Sequence, residues 1–249
     1  MSNPILSKLE KDISNGYASM PESKGYDNLT VQPTPITLDG IILKVATLFG
    51  LTLLTTIFGY NNPNNALMMV GIFAALILAV VMAIKPFSAK ILAPLYALLQ
   101  GYVLGSISVI YEAQYDGIVR QALGLTLAIF ASLLFLYSRR LLKVTARARA
   151  VVTTATLGIF LYYLISIGAS FIFNYTMPLI WSASPLGIAF SVFVAGLASY
   201  NFLLDFDSIE KALEMKADQR YEWSLSVGVL ATFIWLYIEL LRLLSKLRR

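Results

Sequence analysis

Seven apolar blocks, each about as long as a bilayer is thick, constrain this chain more than anything else in it. They run over residues 41–60, 66–84, 91–111, 121–137, 151–173, 185–206 and 223–244. A helix needs roughly 20 apolar residues to cross the hydrocarbon core. Lipid offers no partner to backbone N–H and C=O groups, so a spanning segment must be a helix or a strand of a closed barrel. The blocks show no period-2 alternation, which removes the barrel. The expected fold is all-α: a seven-transmembrane-helix bundle over residues 40–249, preceded by a polar tail over residues 1–39. The tail mixes charge with Gly, Ser and Pro and reads as disordered. It lacks the basic-then-apolar order of a secretory signal. Thr37 or Asp39 is placed to cap the first span.

Two missing residue types narrow the chemistry. The chain has neither cysteine nor histidine. Disulfides, thiolate nucleophiles, His bases and Cys- or His-held metals and haems are excluded, and no resident cofactor is expected. With no candidate catalytic constellation left, the chain is not expected to be an enzyme. Only carboxylates remain to titrate near neutral pH, and only if their surroundings shift them from their usual range near pH 4.

Charge placement supplies orientation. Lys85, Lys90, the loop bases Arg139, Arg140, Lys143, Arg147 and Arg149, and the linker 211–220 fall on the side of the N-terminal tail. Arg120 and the C-terminal Lys246, Arg248 and Arg249 fall on the other. Basic loops stay cytoplasmic, so the N-terminus is expected in the cytoplasm and the C-terminus outside, against the preference of its own basic residues. The bases serve topology, and no nucleic-acid partner is expected.

Acids are rare in the apolar blocks, and two stand out. Asp207 closes the sixth block and Glu239 lies inside the seventh. Intramembrane carboxylates usually face a bundle interior, find a partner and mark an ion or proton path. For Asp207 the plain alternative is a solvated helix-end acid. For Glu239 it is a local ion pair with Arg242, three residues on and on the same helix face. If the two acids meet, burial and mutual repulsion would make them share a proton and titrate as a unit. Loss of that proton would drive the helices apart. The meeting requires the sixth helix to continue past Asp207 and the seventh to begin near Tyr221. Asp205, Lys85 and Arg242 are candidate modulators of the pair. A metal site cannot be assigned from these residues.

Three segments resemble a known family: 95–105 (LYALLQGYVLG), 201–210 (NFLLDFDSIE) and 235–244 (WLYIELLRLL). Over about residues 38–246 the chain resembles the Bax inhibitor-1 family, in particular its bacterial branch. The resemblance implies a bundle with a central last helix and a pH-sensitive acid pair, Asp207 with Glu239. The family usually carries Asp at the second position, so Glu239 departs from it. Lys85 stands nearest to an arginine that some members place at the end of span two. A lysine cannot reproduce a bidentate arginine clamp. The implied activity is a pH-dependent calcium leak in a bacterial cytoplasmic (inner) membrane, with the bilayer and calcium or other cations as partners. Carboxylate oxygens suit calcium without excluding other cations. A proton-coupled secondary transporter remains an alternative, as does a non-transporting regulator of membrane proteases or stress responses. A retinal pump is disfavoured because its mid-helix lysine is missing. An intramembrane aspartyl protease is disfavoured because its Gly-x-Gly-Asp segment is missing.

Overall fold

The computed structural model describes residue 11 and residues 34–173 and 178–249. Seven long helices are present: α1 (Leu38–Asn61), α2 (Asn65–Ile84), α3 (Ala89–Gln114), α4 (Ile118–Ser138), α5 (Ala146–Phe173), α7 (Pro185–Glu214) and α8 (Tyr221–Leu247). A short α6 (Pro178–Trp181) lies before α7. All seven are long and apolar enough to cross a membrane. Their starts follow from local chemistry. Thr37, Asn64 and Ser184 each accept a hydrogen bond from the N–H three residues on, at 3.0, 3.0 and 3.2 Å. Each removes one of the orphan donors at a helix N-terminus.

The last helix is the centre. α8 packs against α1, α3, α4 and α7. Of its apolar stretch 61% is buried, against 11% for α5. On one side Phe233 meets Phe130 of α4 and Phe202 of α7, with ring centroids 6.0 and 6.5 Å apart. On the other, Leu230 and Ile234 close over Leu48 and Ala97. Apolar side chains such as Leu43, Ile91 and Val151 point outward, 68–78% exposed in the case of Val151 and Ile91. That is the surface a lipid-embedded bundle needs, because lipid is as apolar as the core. α1 and α3 make the closest approach: a Cβ on Gly101 or Gly105 would collide with the α1 backbone at Thr52 or at Thr56 and Tyr60.

Odd crossing number puts the two ends of the bundle on opposite faces. On the tail face, Ile36 N–H donates to Ala217 O at 2.8 Å and Gln219 N–H to Thr34 O at 2.9 Å. Phe87, after α2, stacks near Tyr221 and under Arg220. On the far face, Arg248 donates to Asp116 O at 2.8 Å, and Arg249 to Trp181 O at 3.2 Å. The C-terminal bases that sit awkwardly in a charge count are thus held by oxygens of the α3–α4 turn and α6. Residues 34–39, which the sequence assigns to the polar tail, are built into the fold. Residues 1–10 and 12–33 of that tail lie outside the described residues.

Candidate functional site

α7 does continue past Asp207, to Glu214, and α8 does begin at Tyr221. Both conditions for a meeting of Asp207 and Glu239 are satisfied, and the two acids still do not meet. Asp205 fixes the register: it accepts a hydrogen bond from Thr232 Oγ1 at 2.6 Å. Asp207 lies two residues to the tail-face side of that contact and Glu239 seven residues to the far side. Nine residues at 1.5 Å each separate them by about 13 Å along the axis. Depth, which periodicity does not report, keeps them apart.

Each acid has its own cation instead. Asp207 is clasped by Arg149, from the first turn of α5, and by Lys211 at 2.8 Å. Arg149 also reaches Ser208 Oγ at 3.4 Å. Side chains of Arg149 and Asp207 are 7% and 13% exposed, so the pair is largely dry. Asp207 lines a recess of about 280 Å³ on the tail face with Tyr137, Arg140, Lys143 and Glu210. Tyr137 donates to Glu210, which also lies 3.8 Å from Arg140.

Glu239 is fully buried. Arg242 donates to its two oxygens at 2.9 and 3.0 Å, Tyr163 OH at 2.8 Å and Trp235 Nε1 at 3.2 Å. Arg242 also donates to Tyr163 OH at 2.7 Å. Its guanidinium lies 5.0 Å from the centre of the Tyr163 ring and 5.7 Å from that of Trp181. Arg242 lines a second recess, of about 510 Å³, on the far-face half of the bundle. The local pair with Arg242 weighed in the sequence is therefore present. Lys85 is exposed at the end of α2, and among the described residues it forms no ion pair with either acid.

Sequence reasoning missed the helix that holds both acids. Arg149, Thr156 and Tyr163 recur every seven residues along α5. Seven residues are nearly two full turns, so the three side chains share one stripe. Arg149 takes Asp207, Thr156 accepts from Asn201 Nδ2 at 2.9 Å, and Tyr163 takes Glu239. The spacing was visible as a pattern, although Arg149 reads as one more loop base. Glu222, which reads as a linker acid, is also fully buried. It accepts from Thr37 N–H at 2.9 Å and from Lys44, tying the start of α8 to the start of α1.

Among the described residues no three acids converge as a metal site would require. Asp207 and Glu239 therefore stand as single carboxylates at two levels of one polar stripe, Asp207 lining the tail-face recess and Glu239 fully buried against Arg242, which lines the other. No curated protein and no solved structure matches the chain. A profile described as Bax inhibitor 1 like matches residues 3–249, a longer stretch than the three segments alone suggest. Seven spans, a central last helix and a match across essentially the whole chain lead to one statement: this integral membrane protein belongs to the Bax inhibitor 1 like family.

Proposed function

We propose that the protein is a pH-sensitive cation leak, with calcium as its ion, closed in the state described here. The observation that carries the reading is the pair of recesses. One reaches Asp207 from the tail face, the other reaches Arg242, the partner of Glu239, from the far-face half, and the polar stripe of α5 runs between them. The first recess ends on a carboxylate held by an arginine, the second on an arginine that covers a fully buried carboxylate. An ion entering either would have to displace a guanidinium, which is a reason for the path to be shut.

Because each acid faces its own cation, the sign of the gate differs from that of a shared-proton pair. A charged carboxylate holds α5 through Arg149 or lies under Tyr163 and Arg242. Loss of a carboxylate's charge removes that attraction and loosens α5 from α7 and α8. Flux is therefore expected to rise when either acid is neutralised. The tail face is assigned to the cytoplasm, where its Lys and Arg side chains belong, in a bacterial inner membrane. This reading makes the protein a conduit rather than an enzyme, with the bilayer and the ion as its partners.

Calcium entry into proteoliposomes between pH 6 and 8 tests it, comparing the wild type with Asp207→Asn and Glu239→Gln. Both neutral variants imitate the protonated acid, so both should leak at pH 8 and lose much of their pH dependence. Absence of flux at every pH would overturn the leak and favour a transporter or a non-transporting regulator. Wild-type pH dependence in both variants would keep a leak and remove the two acids as its sensors.

A further inference from the structure

The far recess carries a charge surplus that the gate does not use. Arg242, Lys246 and Arg249 all line it. Glu239 balances Arg242. Lys246 is 3% exposed, yet its ammonium meets neutral oxygens: Leu179 O at 3.1 Å, Gly187 O at 2.9 Å and Ser191 Oγ at 2.8 Å. Arg249 likewise donates to Tyr115 OH and Trp181 O. The side-chain charges therefore sum to two positive at the recess. Arg242 Nε is buried without a hydrogen-bond partner among the described residues. A buried donor without a partner is costly, so such an atom calls for a group that accepts from it.

Much of the remaining lining is apolar. Met69, Ile72 and Phe73 of α2 and Ile110 of α3 belong to it, with Phe73 43% and Ile110 42% exposed toward what would be lipid. At about 510 Å³ the recess is in the range that holds a small ligand. A cationic floor beside an apolar wall open to lipid matches a molecule with an anionic head and a hydrocarbon tail. We propose that this recess binds an anionic phospholipid from the far-face leaflet, its phosphate set against Arg242 and Arg249 in the field of Lys246. Its acyl chains lie along the wall made by α2 and α3. Basic pockets between transmembrane helices bind lipid head groups by this logic, each Lys or Arg near the surface adding about 1 kcal/mol, or roughly fivefold.

The test reads binding without ion flux, so it stands apart from the leak reading. Purified full-length protein is titrated with phosphatidylglycerol or phosphatidylcholine, and bound lipid is counted by native mass spectrometry. Phosphatidylglycerol should bind at least about fivefold more tightly. Arg249→Gln, at the exposed end of the chain, should remove about fivefold of that preference and leave phosphatidylcholine unchanged. Lys246→Gln, which keeps hydrogen-bond donors for the carbonyls, should lower it further. Equal binding of the two lipids overturns the proposal, as does a preference that survives both variants. Inorganic phosphate that displaces the lipid at equal concentration also overturns it, in favour of a free-anion site.

Discussion

Arg149 shows how much a single residue can alter the reading of a site. In the sequence it is the last of five bases in a loop; in the structure it is 6% exposed and clasps Asp207. Removing one partner of a buried pair and leaving the other charge unpaired costs about 3 kcal/mol or more. Arg149→Met leaves Asp207 with the half-exposed Lys211 as its remaining cation, so it should destabilise the protein by less than that, about 1–2 kcal/mol, read as a lowered midpoint of thermal unfolding in micelles. Adding Asp207→Asn should recover most of the loss, since the under-compensated buried charge is then gone. An equal loss in the single and double variants would mean that packing of the Arg149 stem, not its charge, holds α5. Glu239 was legible because an acid amid Leu and Ile has nowhere to hide, and its Arg242 partner follows from helical spacing. Asp207 was legible as an acid but not as a partner of Arg149, because contacts 58 residues apart leave no local pattern.

At the scale of elements, the ends of the seven spans could be read to within five residues, except that α7 runs eight residues beyond its apolar block, since a hydrocarbon slab sets the apolar length but not how far a helix continues outside it. What periodicity could not supply was depth. The α7–α8 register rests on Asp205 meeting Thr232 and on how far each helix extends beyond the apolar core. The glycines show the same division. Gly105 and Gly124 look alike in the sequence, yet a Cβ at Gly105 would strike the α1 backbone while one at Gly124 meets nothing within 4 Å. Gly105→Ala should lower the unfolding midpoint by forcing α1 and α3 apart. Gly124→Ala should be neutral or raise stability by up to about 1 kcal/mol, the helix-propensity gain of alanine over glycine. Matching losses at both positions would contradict the close α1–α3 packing.

For the whole molecule, the consequence is sidedness. The absence of native cysteine makes that measurable without a background to remove. Lys143→Cys lies in the exposed α4–α5 loop on the tail face, and Asn64→Cys in the α1–α2 turn on the far face. A membrane-impermeant thiol reagent applied outside intact cells should label Asn64→Cys and spare Lys143→Cys until the membrane is opened. The reverse labelling would invert the proposed orientation, and labelling of both from one side would break the seven-crossing topology. Burial of α8 also bears on how the molecule is made. The innermost helix is the last of the seven to be synthesised, and it carries Glu239, Arg242 and Lys246. Each such charge opposes release into bare lipid by about 3 kcal/mol at mid-helix, so α8 enters favourably only a cleft that the earlier six spans have already arranged. Until then Asp205 and Tyr163 lack the partners that α8 brings them, and biogenesis rather than the finished bundle is where this protein is most exposed to failure.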